Sequence, residues 1–217
     1  MKTVFALHTS FALVEPLRKE FADRLKRVRV VNIVDDSLLA DVRAAGKLTA
    51  SVTRRMVAYA LAAQASGADA IFSCCSSVGE AADVIRTVVD IPVVKIDETM
   101  AAEAARRGER VAVVATVATT LDPTVRLIER KAAEMGKKLH TFRHLVDGAF
   151  DVLQAGDSKR HDSMVLAEIS MAAAEADVVV LAQASMARLV PLLPRTGTPV
   201  LTSPASGVDE LRRVLGS

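Results

Sequence analysis

The stretch VFALHT (Val4–Thr9) returns as VAVVAT (Val111–Thr116) 107 positions later, and the reading of that pair decides the architecture. Both are short apolar runs closed by a threonine. The same offset of 107 carries Pro16 in VEPL to Pro123 in LDPT, and Pro92 to Pro199. Ala68–Asp69 reappears as Ala176–Asp177 at 108, ADVRAAG (Ala40–Gly46) meets FDVLQAG (Phe150–Gly156) at 110, and NIVDD (Asn32–Asp36) resembles HLVDG (His144–Gly148). Matches that keep their order along 217 residues argue for two similar halves in tandem, since Ala-rich units alike by chance would share only scattered ones. The division expected is 1–97 and 98–204, with a C-terminal helix over about 205–217 packing back on the first half.

Val/Ile-rich runs at Thr3–Leu7, Val28–Val34, Ala70–Ser73, Val93–Ile96, Val111–Ala115, Leu139–Arg143, Val178–Ala182 and Val200–Leu201 read as strands. They are nearly all apolar and do not alternate, so each is expected to be buried on both faces of a parallel sheet. Helical segments lie between them. Pro16 fits a first helical turn, and the Ala-rich segment from Thr49 to Ser66 is stopped by Gly67. Alternation of strand and helix predicts an α/β fold with right-handed crossovers. The two halves become Rossmann-like domains, each a four-stranded parallel sheet flanked by helices, related by a pseudo-twofold axis. Open parallel sheets bind ligands beyond the carboxyl ends of their strands, so an active site is expected in the cleft between the halves.

Composition narrows the function. Apolar residues make up 51% but aromatic ones only 3%, so stacking platforms for bases are scarce. With 28 Lys and Arg against 26 Asp and Glu, a net charge of +2 gives no basic field for nucleic acid. The N-terminal stretch lacks the apolar core of a signal peptide, and no run is long enough to span a membrane. Adjacent Cys74 and Cys75 cannot build a disulfide framework, which suits a reducing, cytoplasmic setting. Isolated glycines form no phosphate-binding loop, and His8, His140, His144 and His161 lack metal-ligand spacing. Neither cofactor nor metal is expected.

The chemistry is sought at the strand ends. His8, Thr9 and Ser10 follow the first strand; Thr116, Thr119 and Thr120 follow its counterpart. FSCCSSVGE (Phe72–Glu80) follows the third strand, and LAQASMARL (Leu181–Leu189) follows its equivalent. A cysteine just before a helix N-terminus sits in partial positive charge, which is expected to lower its pKa and make it a usable acid or base. Adjacent strand residues point to opposite faces, so Cys74 is assigned to the core and Cys75 to the polar turn with Ser76, Ser77 and Gly79. Glu80 and Lys95 read as solvated or ion-paired, His161 as a surface residue, and Asp35 or Asp36 as a helix cap.

The tandem halves and the two strand-end motifs resemble the cofactor-independent aspartate/glutamate/hydantoin racemase superfamily, which includes maleate isomerases and arylmalonate decarboxylases. CSS (Cys75–Ser77) is similar to the first Cys-Asn-Thr type motif, and LAQASMA (Leu181–Ala187) to a second motif, Leu-Gly-Cys-Ala-Gly-Met. The resemblance implies that one thiolate removes a proton next to a carboxylate or carbonyl while a second thiol delivers one to the other face. Gln183 stands at the second position, and an amide carries no proton at useful rates, though it can hydrogen-bond an oxyanion. Three readings follow. The first is an isomerase acting on a small amino-acid-like substrate, with Cys75 and another carrier such as His8, His144 or water. The second is a single-thiol decarboxylase of a substituted malonate, and the third a non-catalytic binder of a small carboxylate. The first orders the candidates: Cys75, Gln183 and His8 as catalytic, with Thr9, Ser76, Ser77, Thr116, Thr119, Thr120 and Ser185 around the substrate. A homo-oligomer is expected by analogy with the family.

Overall fold

A computed structural model describes residues 1–193 and 197–216. It divides into two units, 1–98 with 204–217 and 99–203. Each unit is built around one four-stranded parallel sheet.

In the first unit, β1 (Lys2–His8), β2 (Val28–Val34), β3 (Ala70–Ser73) and β4 (Val93–Lys95) are ordered β2-β1-β3-β4. Leu7, Ile71 and Val93 turn toward α2 (Ser37–Ala45), α3 (Ala50–Ala65) and α4 (Gly79–Ile85), packing with Leu38, Val42, Met56 and Ile85. On the other face, Phe72 meets Phe21 of α1 (Val14–Arg24) edge-on, with ring centroids 5.7 Å apart. The helix read from Thr49 to Gly67 is α3. Thr49 caps it by accepting from the Val52 N–H at 3.3 Å, and Gly67 leaves it with φ +81°.

Helix α9 (Ser203–Leu215) belongs mainly to this first unit. Asp209 pairs with Arg24 at 2.8 Å, and the Gly207 backbone lies so close to Ile96 that an added Cβ would stand 2.5 Å from its carbonyl oxygen. Ser217, the last residue of the expected helix, lies outside the described residues.

The second unit contains α5 (Glu98–Arg107), β5 (Arg110–Ala115), α6 (Ala118–Glu134), β6 (His140–Leu145), α7 (Ala149–Gln154), α8 (Ser158–Glu175), β7 (Val178–Leu181) and β8 (Val200–Leu201). Its sheet runs β6-β5-β7-β8. Along β5, Val111, Val113 and Ala115 pack with α5 and α6, while Ala112 and Val114 pack with α8. This two-sided burial explains the unbroken apolar runs.

The pair Asp69 and Asp177 shows what the repeat does structurally. Asp69 accepts the Thr3 N–H at 2.7 Å and pairs with Lys2 at 2.9 Å. Asp177 accepts the Arg110 N–H at 2.9 Å and pairs with the Arg110 guanidinium at 3.0 Å. In each unit the carboxylate before the third strand fastens the start of the first. Pro92 and Pro199 match in the same way, their carbonyls accepting from Ile71 and Val179, each at 2.9 Å.

Two expectations are corrected. Strands β2 and β6, at one edge of each sheet, are partly exposed along their length rather than buried on both faces. His161 is buried, 3% exposed, with Nδ1 2.8 Å from Asp162 Oδ1, and Asp162 is also held by Arg188 at 2.5 Å. A histidine among charges reads as surface until its partners fold over it.

Candidate functional site

The polar residues of interest gather at the carboxyl ends of the strands. In the first unit, β3 ends at Ser73 and the chain continues through Cys74 and Cys75 into a 3₁₀ turn, Ser76–Val78, which runs straight into α4. Cys75 is extended, with φ −139° and ψ 124°, and opens that turn. Its side chain packs against the core on the α2–α4 face. Cys74 takes the other face: it is 1% exposed, with Sγ 3.5 Å from the Phe72 carbonyl and 3.9 Å from His8 Nε2.

The Cys75 thiol is met by four groups of its own unit: the Thr9 side chain, the Ser77 and Val78 N–H groups, and the Ser77 hydroxyl. All of them favour thiolate. Burial acts against them and is stronger, so the thiol titrates above its ordinary value. This corrects the expectation of a lowered pKa. The sequence shows a helix entry, but α4 is only seven residues long and the desolvation around Sγ comes from the fold. Burial drives the Cys74 thiol well above its ordinary value, with the neighbouring Cys75 adding to the effect.

His8 is the last residue of β1 and is 2% exposed. Its Nε2 lies 2.9 Å from Asn32 Oδ1, and Nδ1 is buried without a partner. Burial pushes its pKa down, the Asn32 bond partly offsets this, and the ring is neutral at pH 7. The side chain that touches it is Cys74, with Asn32 on the adjacent strand. His144 Nδ1 is hydrogen-bonded to Glu168 Oε1 at 2.7 Å, which joins strand β6 to α8.

At the equivalent place in the second unit, Gln183 is extended, with φ −111° and ψ 129°, and opens the 3₁₀ segment Ala184–Leu192. Its Oε1 accepts the Thr116 N–H at 2.6 Å and its Nε2 donates to Thr116 Oγ1 at 2.8 Å. The repeat therefore places Thr9 with Cys75 and Thr116 with Gln183. Thr119 and Thr120 lie in the first turn of α6; Thr120 is 4% exposed and Thr119 Oγ1 is buried without a partner. Ser185 is half-buried beyond Gln183.

Behind the Cys75 turn stands a group that sequence reasoning missed. Asp97, two residues past β4, is 3% exposed and accepts a hydrogen bond from Ser76. Burial pushes its carboxyl up, against the opposing pull of Lys95 and Ser76. Lys95, read as solvated or ion-paired, has a side chain 3% exposed and pairs with Asp83 of α4 at 3.4 Å. The available signal was two charged residues inside the strand-like run VVKID. Asp35, by contrast, is structural: it holds Arg55, the Tyr59 hydroxyl at 2.6 Å and the Ser37 hydroxyl at 2.6 Å, joining the end of β2 to α2 and α3. Asp36 stands at the α2 N-cap position without a side-chain cap bond.

Among the described residues, no three His, Cys, Asp or Glu side chains cluster to hold a metal ion, and no helix is long and apolar enough to cross a membrane. Fold and strand-end turns together define a tandem α/β protein with a buried thiol at one turn and an amide at the other. The family model for Asp/Glu/hydantoin racemases matches residues 3–211, and the chain belongs to that family. No curated protein matches the chain in sequence. Among solved structures, allantoin racemase from Klebsiella pneumoniae is 16% identical, with 100% of this chain and 89% of that one covered at a TM-score of 0.72. Glutamate racemase RacE1 from Bacillus anthracis is 15% identical over 99% and 82%, with a TM-score of 0.74. A variant of arylmalonate decarboxylase is 16% identical over 99% and 94%, with a TM-score of 0.61. These likenesses establish the shared fold; family membership gives the racemase-like function.

Proposed function

We propose that the chain moves a proton at the carbon next to a carboxylate or carbonyl of a small amino-acid-like substrate, without a cofactor, and that Cys75 is the acid/base. The observation that carries this reading is the place of Cys75 at the carboxyl end of β3, opening the turn into α4, where Thr9, Ser77 and Val78 favour its thiolate against burial. They stabilise the thiolate that takes the α-proton, and the resulting thiol can return it. The electron pair left on carbon spreads into the carboxylate or carbonyl as an enolate. Ser76, Ser77 and Thr9 supply hydroxyls on the Cys75 side. Gln183, with Thr116, serves as a hydrogen-bonding group for substrate oxygen, and Thr119, Thr120 and Ser185 stand close in sequence to that pair. His8 is neutral and offers the Nδ1 lone pair as a second proton acceptor. The same reading keeps the chain in a reducing cytoplasm as a homo-oligomer, with a small carboxylate as its partner.

A D₂O screen by NMR over amino acids, hydantoins, hydroxy acids and malonates tests the reading. Deuterium should enter the α-position of one class, and Cys75→Ala should abolish the incorporation. Incorporation that survives this substitution refutes the assignment. A second reading, a single-thiol decarboxylase, is favoured by the lock of Gln183 on Thr116, which leaves no proton carrier at that turn. It predicts CO₂ release from a malonate with one deuterium delivered to the product.

A further inference from the structure

Asp97 and Lys95 are absorbed by neither the core nor the proposed chemistry, yet the fold buries both next to the Cys75 turn. β3 and β4 pair in parallel with Ser73 opposite Lys95, so Cys75 and Asp97 each stand two residues beyond the same rung. Ser76 links the two strand ends through its hydrogen bond to Asp97. Lys95 reaches Asp83 on α4, and the space beside Gly79 is filled by Lys95 Cε and Asp97 Oδ2, which would lie 3.4 and 3.8 Å from an added Cβ. Lys95, Asp97 and Ser76 thus bracket the turn from behind, next to Ser77 and Val78, whose N–H groups favour the Cys75 thiolate. Enclosing a lysine and a carboxylate costs free energy, so the burial of Lys95 and Asp97 beside the Cys75 turn calls for a positional role.

We propose that Asp97 is a positioning residue for Cys75: through Ser76, and steadied by Lys95, it fixes the 75–79 turn so that the Ser77 and Val78 N–H groups point at the thiol. The inference deepens the assignment of Cys75 as acid/base, and its test reads the thiol directly, without turnover.

The experiment measures the pH midpoint of Cys75 alkylation by iodoacetamide in a Cys74→Ala background, with the labelled site located by mass spectrometry. Asp97→Ala should move the midpoint upward by about one pH unit, a roughly tenfold slower reaction below it, because thiolate loses aligned donors. Asp97→Asn keeps an acceptor for Ser76 and should return the midpoint to the parent value or below. Ser76→Ala leaves the buried charges in place and should reproduce the upward shift, so the test stands even if Asp97→Ala does not fold. An unchanged midpoint in Ser76→Ala, or equal upward shifts in Asp97→Ala and Asp97→Asn, overturns the proposal. Failure of the D₂O assay, by contrast, removes the acid/base role of Cys75 and leaves these midpoints readable.

Discussion

Asp35→Asn is the sharpest test of which strand-end charges hold the fold. Burial pushes the Asp35 carboxyl up, but hydrogen bonds from Ser37, Tyr59 and Arg55 outweigh it and bring the pKa from 3.8 to about 2. That gap corresponds to about 2.4 kcal/mol of stability at about 1.4 kcal/mol per pH unit. The Asp35 side chain is 14% exposed and that of Arg55 32%, so solvent screening reduces the figure to about 1–2 kcal/mol. The folded-state pKa is depressed, so the contribution is complete above the unfolded value of 3.8 and is lost as pH falls through about 2. Urea unfolding of parent and variant at pH 7 should show the Asp35→Asn protein weaker by that amount, and the two should converge as the pH is lowered toward 2. A deficit of the same size at both ends of the range would refute the argument, since it would then arise from shape and not from charge.

Other outcomes follow from the same geometry. Cys75-dependent deuterium incorporation should climb with pH and keep climbing past the ordinary thiol range, because burial raises the thiol and thiolate is the base; a plateau already reached at pH 7 in a rate–pH profile would contradict this. Gly207→Ala should destabilise the first unit by about 1–3 kcal/mol, since the new methyl would meet the Ile96 backbone; an unchanged thermal midpoint would mean that α9 shifts freely. Thr116→Ala removes the hydroxyl that Gln183 donates to and should cost about 1 kcal/mol in chemical denaturation while leaving the Cys75 alkylation midpoint alone.

Strands that are continuous apolar runs are legible from sequence alone. Ala70–Ser73, Val28–Val34 and Val200–Leu201 fall where their Val and Ile residues put them, and α3 lies between its cap and its glycine. What sequence cannot display is how far a charged or polar group is enclosed. Lys95, Asp97 and His161 carry side chains that normally seek water, and only their tertiary partners make burial tolerable. The direction of the Cys75 shift escapes sequence for the same reason: dipoles can be inferred from neighbours in sequence, whereas desolvation comes from residues distant along the chain. The pairing of Thr9 with Cys75 was open to inference from the repeat, because its counterpart joins Thr116 to Gln183.

The fastenings made by Asp69 and Asp177 sit at the edge of each sheet where the strands begin, far along β3 and β7 from the turns that carry Cys75 and Gln183. Either unit can therefore carry a different residue at its strand-end turn without disturbing the stitch that sets its strand register. Such a separation makes each half a carrier on which new reactions can be tried singly, and it accounts for a chain whose two halves still match at one rim and disagree at the other.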